Sequence, residues 1–157
     1  MLDILRHQQS NALLSSKLYD QDSFYPAFLK DLRSCHHELI IESPFITTKR
    51  TNALLPYLRS LQDRGVAIVI NTKDPREHDL HMEAEARLSI GLLQTVGAQI
   101  LYTGGHHRKL AIIDRHILYE GSLNLLSQND SCEVMRRIES EEIAQQMIKF
   151  TRLNRFL

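Results

Sequence analysis

The residues with the clearest chemical potential lie in one short stretch in the second half of the chain. Gly104 and Gly105 precede His107, Lys109 follows it by two positions, and Asp114 ends the stretch. Side chains alternate between the two faces of a strand, so His107 and Lys109 are predicted to project to the same side. Asp114 falls on the opposite face, at the strand's end, where it is predicted to be a structural carboxylate. The pattern places an imidazole beside an ammonium group.

Small and neutral polar residues follow this stretch. Gly121 and Ser122 are small where a backbone must come close to another group, and Ser122 and Asn124 add short hydrogen-bond donors. Histidine, lysine, serine and asparagine side chains that converge on one pocket match an anion with several oxygens, such as a phosphate. Glu133 is the one carboxylate expected near this pocket. The sequence therefore predicts phosphate chemistry carried out by imidazole, with no metal and no other cofactor.

The hydrophobic pattern predicts the elements that must position these residues. From residue 23 to 103, helical patterns alternate with short β-branched runs, and several short strands follow from residue 107. The predicted helices start at Ser23, span 54–61 and 82–96, and start at Ser140. The predicted strands span 38–47, with a break at Ser43, then 66–71, 98–103, 107–114, 116–121 and 131–138. Together they predict an α/β fold with a mixed sheet and helices packed on its faces.

Composition narrows the class of protein. The chain has 157 residues, 43% hydrophobic and 24% charged, which is typical of one globular domain. Nineteen basic and nineteen acidic residues give a formal net charge of zero, so a nucleic-acid partner would have to bind a local patch. The candidate patch residues, which fit ordinary solvated charges equally well, are Lys49, Arg50, Arg76, Arg108, Arg115, Arg136 and Arg137.

Other signals are weak or missing. Cys35 and Cys132 lie far apart, which indicates neither a disulfide framework nor a zinc site. No apolar run approaches the roughly 18 residues of a membrane helix, and the first residues lack a signal-peptide pattern, so a cytoplasmic location is predicted. His36, His37 and His106 are assigned no chemistry and are expected at the surface or partly packed, although His106 could touch a substrate phosphate.

The motif as a whole points to a known superfamily. The spacing His107-x-Lys109-(x)4-Asp114-(x)6-Gly121-Ser122-x-Asn124 resembles the HKD motif of the phospholipase D superfamily. Residues 40–46 are similar to the first core strand and loop of these domains, and Glu133 stands where the family has an acidic residue that orients the histidine. The resemblance covers roughly residues 23–150. It implies an α/β/α sandwich formed by residues 23–157, preceded by a lead-in or linker at 1–22.

The resemblance also implies roles for the site residues. The family cleaves phosphodiesters in two steps through a covalent phosphohistidine, and two HKD histidines face each other across the pocket. By position, His107 would be the nucleophile in one copy of the motif and the general acid in the other. Lys109 and Asn124 would bind non-bridging oxygens, with Ser122 and Gly121 at the same substrate site. Glu133 would hold the imidazole tautomer, and Asp114 would hold the motif loop.

This chain has a single HKD motif, which implies a homodimer. The segment 78–83 is the other His-rich stretch, and it lacks the lysine, the aspartate and the Gly-Ser-x-Asn sequel. A complete site then requires two motifs that meet at a two-fold axis. In this respect the chain is similar to the small bacterial endonucleases and the Zucchini-type proteins of the superfamily.

The sequence does not decide between several substrates and biological contexts. The leading hypothesis is a metal-independent nuclease, with DNA favoured over RNA. An alternative is a DNA-binding or recruiting module that works with a helicase or restriction system, whose HKD domains the chain resembles. A phospholipase D-type lipid hydrolase is a further alternative, which the absence of an amphipathic membrane-binding helix disfavours. A membrane partner is accordingly not expected.

Overall fold

A computed structural model describes residues 11–157 and is built around one mixed sheet. Its strands are β1 (Lys17–Tyr19), β2 (Glu38–Glu42), β3 (Ala67–Thr72), β4 (Gln99–Tyr102), β5 (Leu110–Ile113), β6 (Ile117–Gly121) and β7 (Met135–Glu139). Within the described residues they form a seven-stranded sheet in the order β1-β7-β6-β5-β2-β3-β4. Strands β2, β3 and β4 are parallel, and all other pairs are antiparallel. The predicted mixed sheet is confirmed.

Helices cover both faces of this sheet. They are α1 (Phe24–Arg33), α2 (Thr48–Asp63), α3 (Leu80–Thr95) and α4 (Glu141–Phe150), with short 3-10 helices at Pro75–Glu77 and Leu153–Arg155. Apolar residues of α1, α2 and α3 share one buried cluster with one face of the sheet. Ala144 and Ile148 of α4 pack in a second cluster on the opposite face. The α/β/α sandwich that the resemblance implied is therefore confirmed.

Strand β2 shows why the central strands appear in the sequence as unbroken apolar runs. Leu39 and Ile41 face the cluster under α1 to α3, whereas Ile40 faces the cluster under α4. Because both faces are covered, both sets of side chains are buried, and no polar alternation is needed. None of the helices in residues 11–157 is both long enough and apolar enough to cross a membrane.

The loops that follow β2, β3, β4 and β6 all lie on the same side of the sheet, at the strand ends, and this side is called the loop edge. The parallel strands β2, β3 and β4 all end there, β5 begins there, and β6 ends there. The register fixes this arrangement, since Glu42 at the end of β2 is opposite Leu110 at the start of β5, and Gly121 is opposite Met135. The loops 43–47, 73–79, 103–109 and 122–134 therefore lie at one edge, as is usual for ligand sites in α/β folds.

The first residues contribute to the sheet more than the sequence indicated. The predicted lead-in of 1–22 lies partly outside the described residues, at 1–10, but Lys17–Tyr19 form the edge strand β1 and pair with β7. Ser16 accepts a hydrogen bond from Arg136, and Gln21 accepts one from the Glu133 amide. A strand of three residues is too short to show a hydrophobic period, which is why the sequence pattern did not reveal it.

Two predicted strands begin later than expected. The strand predicted at 107–114 is regular only from Leu110, and the strand predicted at 131–138 starts at Met135. In the first case the chain leaves a turn at Gly105, whose φ of 63° lies in the left-handed region. His107 and Lys109 therefore belong to the connection that enters β5, and not to the strand itself.

Candidate active site

His107 and Lys109 lie side by side at the loop edge of the sheet. The Lys109 Nζ atom is 3.1 Å from His107 Nδ1 and donates a hydrogen bond of 2.8 Å to the His107 carbonyl oxygen. The predicted adjacency of imidazole and ammonium is thus present without a regular strand, while the His107 side chain stays exposed. Partial burial lowers the pKa of Lys109, and the nearby charge of Glu133 opposes this shift.

Asp114 lies at the other end of β5, away from His107. Its carboxylate accepts hydrogen bonds from the amides of His36, His37 and Glu38, at 2.8 to 2.9 Å, and from the Cys35 thiol. Burial alone would raise the pKa of Asp114, but the three amide bonds outweigh it and lower the pKa. These contacts fasten the turn after β5 to the start of β2, as expected of a structural carboxylate. Asp114 is not brought to the candidate reacting groups.

Gly121 and Ser122 join the end of β6 to the start of β7. The Ser122 amide donates to the Val134 carbonyl oxygen at 2.9 Å, and the Val134 amide donates to Ser122 Oγ at 3.0 Å. A Cβ atom on Gly121 would overlap the Val134 carbonyl oxygen and lie 2.9 Å from Met135 Cα. The close approach predicted here is therefore an approach of two backbones. The Ser122 hydroxyl is thereby bonded to the backbone that enters β7.

Asn124 and Glu133 differ in their hydrogen bonding. The Asn124 Oδ1 atom is buried without a hydrogen-bond partner, which is uncommon for an amide oxygen. Glu133 Oε1 accepts a hydrogen bond of 2.7 Å from Ser131 Oγ. Among residues 11–157, no hydrogen bond joins Glu133 to His107, whose ring contacts Lys109 instead. Glu133 is nevertheless close enough to Lys109 to affect its pKa.

A buried polar network beneath the motif was not predicted. Glu42, at the end of β2, is completely buried and forms a bidentate ion pair with Arg108, with distances of 2.6 and 2.8 Å. Asn71 Nδ2 donates to Glu42 Oε1 at 3.0 Å, and Thr103 Oγ1 donates to Asn71 Oδ1 at 3.0 Å. The available signal was a glutamate within the apolar run 39–46, since an acidic residue in a buried strand needs a partner.

His106 is part of the same buried region, contrary to expectation. The sequence analysis expected it at the surface or partly packed, but its side chain is only 4% exposed and its Nε2 atom has no hydrogen-bond partner. Loss of solvent lowers the pKa of His106, and the nearby Glu42 charge opposes the shift. The expectation was wrong because the Gly104-Gly105 turn folds the chain inward before His107 emerges.

Residues 28–153 match the family described as "Cardiolipin synthase, PLD-like domain". The chain belongs to this phospholipase D-like family. A comparison with the curated protein sequences returned no significant match.

Solved structures share the fold of this phospholipase D-like domain. Nuc from Salmonella typhimurium, described as a phospholipase D family member, has a TM-score of 0.69 at 16% identity, over 87% of this chain and 90% of its own. NucT from Helicobacter pylori has a TM-score of 0.68 at 18% identity, over 87% of this chain and 92% of its own. TrmBL2, an archaeal chromatin protein, has a TM-score of 0.58 at 12% identity, over 90% of this chain and 51% of its own.

An open cavity of about 520 Å³ adjoins Lys109 on the face of the sheet that α4 covers. Lys109 and Gly121 line it at the motif, and Arg108 and Arg136 add cationic groups. The remaining wall contains the acidic residue Glu120 and apolar residues, among them Leu18, Val134, Met147 and Phe150. Leu18 is 60% exposed, Val134 50% and Phe150 81%, so this rim of the cavity presents apolar surface to solvent.

Most of the candidate patch cations are already paired. Arg76 pairs with Asp74, Arg115 with Glu38, and Arg137 with Asp31. Arg50 lies over the Tyr25 ring at 3.9 Å and donates to the Gln128 carbonyl oxygen. Arg115 also follows β5 at the end away from the motif. The cations that adjoin the cavity are therefore few, and they are Arg108, Lys109 and Arg136.

Within residues 11–157, no three His, Cys, Asp or Glu side chains are grouped in a way that could bind a metal ion. The two cysteines are separate and unbridged, with Cys35 buried and Cys132 exposed.

Proposed function

We propose that this phospholipase D-like chain is a metal-independent phosphodiesterase that cleaves nucleic acid at a site shared by two subunits. The observation that carries the proposal is the contact between Lys109 Nζ and His107 Nδ1, at the loop edge of the sheet. A cation and an imidazole held together can bind a phosphodiester and attack its phosphorus. Asp114 is bonded to the start of β2, and Gly121 and Ser122 lie against the start of β7. These positions are consistent with the HKD motif and support the proposal.

The proposed reaction has two steps. In the first, His107 of one subunit attacks phosphorus, a P–N bond forms, and the P–O bond to the leaving group breaks. The partner subunit's His107 supplies the proton that the leaving oxygen takes up. In the second, the same partner imidazole removes a proton from water, the water oxygen attacks phosphorus, and the P–N bond breaks. Lys109 and Asn124 bind the non-bridging oxygens, where negative charge develops in both transition states.

Two hydrogen bonds must change before His107 can attack, the one from Lys109 to His107 and the one from Ser131 to Glu133. Lys109, when charged, donates to His107 Nδ1, so a neutral His107 carries its ring proton on Nε2. Attack through Nε2 requires that proton on Nδ1. A bound phosphate draws Lys109 away from the ring, which frees Nδ1 to donate to a carboxylate. Glu133, after release from Ser131, is the carboxylate proposed for this role.

Nucleic acid is the proposed substrate class, with DNA favoured over RNA. The site itself contacts only the phosphodiester, so the residues alone do not separate nucleic acid from lipid. Support for DNA comes from the relative TrmBL2, whose structure is described as showing a novel mode of DNA binding. That protein is described as a chromatin protein, which also favours the second candidate function, a DNA-binding or recruiting module. Loss of function in His107→Ala would separate catalysis from binding alone.

The apolar rim of the cavity is the proposed contact with the second subunit. Leu18, Val134 and Phe150 expose apolar surface beside the motif, where a two-fold partner would bring its own His107. Exposed apolar patches next to a functional site mark protein contacts more often than they mark free surface. A partner there also excludes water from the phosphohistidine until the leaving group has departed.

Breaking this contact should lower activity and prevent assembly together. In Phe150→Glu we expect a monomer, because a charge in the dimer contact loses its solvent, and reporter hydrolysis at least about 10-fold slower, or about 1.4 kcal/mol. Hydrolysis of bis(4-nitrophenyl) phosphate in excess chelator, measured beside light scattering, tests both. Leu88→Glu is the matched control, since Leu88 is 64% exposed on α3, across the sheet from this rim. A monodisperse wild-type monomer that hydrolyses the reporter would contradict the shared site.

A further inference from the structure

Two similar ion pairs stand at the two ends of the β2–β5 ladder. At the loop edge, Arg108 binds Glu42 through Nε and Nη2, at 2.6 and 2.8 Å. At the opposite edge, Arg115 binds Glu38 through the same two atoms, at 2.9 and 3.0 Å. Each arginine lies just outside β5 and each glutamate at an end of β2. The strand that carries the motif is thus fastened to its central neighbour at both ends.

The two pairs differ in how deeply the carboxylate is buried. The Glu42 side chain has no exposed surface, whereas that of Glu38 retains 13%. Burying a carboxylate is unfavourable unless its oxygens are fully engaged. Both Glu42 oxygens accept hydrogen bonds from Arg108. Asn71 donates a third hydrogen bond to Glu42 and is itself held by Thr103. This chain of contacts links the ends of β2, β3 and β4 to Arg108.

Arg108 is the residue between His107 and Lys109, at a point where backbone pairing is sparse. Regular pairing of β5 begins at Leu110, and the next bond toward the motif, from the Gly121 amide to the Lys109 carbonyl oxygen, is 3.4 Å long. The His107 carbonyl oxygen is bonded by the Lys109 side chain. The Arg108 side chain is therefore the strongest anchor for the two residues on either side of it.

We propose that Glu42 is a positioning residue, which sets the place of His107 and Lys109 through its bidentate bond to Arg108. It acts from beneath the site and does not touch the substrate. The proposal rests on the proposed phosphodiesterase function, and it deepens that function by assigning a task to a buried acidic residue outside the HKD motif. Misplacement by about 1 Å can cost on the order of 100-fold in rate, so a small shift of Arg108 is enough.

The test compares Glu42→Gln with Glu38→Gln on the same reporter. Glutamine keeps the shape and one acceptor oxygen but loses the charge-assisted bidentate bond. We expect kcat in Glu42→Gln to fall at least about 10-fold with KM changed far less, as for loss of orientation. Glu38→Gln should keep kcat within about 2-fold, because its ion pair is at the far end of β5. Arg108→Lys should not retain full activity, since lysine has no bidentate fork.

The variants also separate positioning from simple loss of stability. If Glu42→Gln does not fold, the double variant Glu42→Gln/Arg108→Gln replaces the ion pair with two neutral amides and supplies the same measurement. Equal kcat values for folded Glu42→Gln and Glu38→Gln would overturn the proposal. So would an Arg108→Lys variant with wild-type kcat.

An activity-independent measurement distinguishes this proposal from the proposed function. Binding of inorganic phosphate, followed by phosphorus NMR line broadening, reports whether Lys109 is in place. We expect weaker phosphate binding in Glu42→Gln than in Glu38→Gln or wild type. If the wild type hydrolyses nothing but this difference is found, the proposed function fails and the positioning role stands. If the wild type is active and the two variants match in both kcat and phosphate binding, the positioning role fails alone.

Discussion

Lys109→Ala is expected to lower kcat for phosphodiester hydrolysis by about 100- to 1,000-fold, the usual loss when one donor to a developing anion is removed. Lys109 is the cation in contact with His107, at 3.1 Å, and it adjoins the open cavity. Its ammonium group would bind a non-bridging oxygen more strongly in the transition state than in the substrate complex. Steady-state kinetics on the reporter, with circular dichroism to check the fold, provide the measurement.

Two further variants make the Lys109 result specific. Lys30→Ala removes an exposed lysine from α1, outside the motif, and should leave kcat unchanged. Lys109→Arg keeps the positive charge and should retain more activity than Lys109→Ala. Wild-type turnover in folded Lys109→Ala would show that the phosphate does not bind where the account places it.

Gly121→Ala is expected to give the largest loss of stability among single-methyl changes at the site. The added Cβ would overlap the Val134 carbonyl oxygen and press on Met135 Cα, which are backbone atoms that cannot move without separating β6 from β7. Overpacking of this kind costs about 1–3 kcal/mol. For a domain of this size, each kcal/mol lowers the melting temperature by about 2–4 °C. Thermal and urea unfolding at one fixed protein concentration measure the change.

Gly91→Ala is the matched control for that prediction, and its sign should be opposite. Gly91 lies inside α3, and a Cβ there meets no atom within 4 Å. Alanine in a helix interior is favoured over glycine by about 0.5–1 kcal/mol. A Gly121→Ala protein as stable as wild type would contradict the close backbone approach at the end of β6.

The contact between His107 and Lys109 was predictable because it depends on local spacing. His107 and Lys109 are two positions apart in an extended segment, and any extended path brings their side chains together. The same holds for the sheet, since the apolar runs that became β2 and β3 need cover on both faces. The sequence predicted a close approach at Gly121, but it did not indicate that the approaching group is the backbone of β7.

Other features depend on contacts between distant parts of the chain and were missed for that reason. The Glu42–Arg108 pair joins residues 66 positions apart, and nothing local in either segment identifies the partner. Strand β1 is three residues long and exists because β7 offers an open edge. Glu133 is close enough to Lys109 to affect its pKa, but its hydrogen bond to Ser131 is a loop contact that no spacing could indicate.

The central claim is that this chain cleaves phosphodiesters through His107 without a metal, and one experiment tests it most directly. Wild type and His107→Ala are incubated in excess chelator with single-stranded DNA, duplex DNA, RNA, anionic phospholipid vesicles and bis(4-nitrophenyl) phosphate. We expect wild type to cleave the reporter and at least one nucleic acid, and His107→Ala to cleave none of them. Cleavage that strictly requires added magnesium, or that survives in His107→Ala, would contradict it.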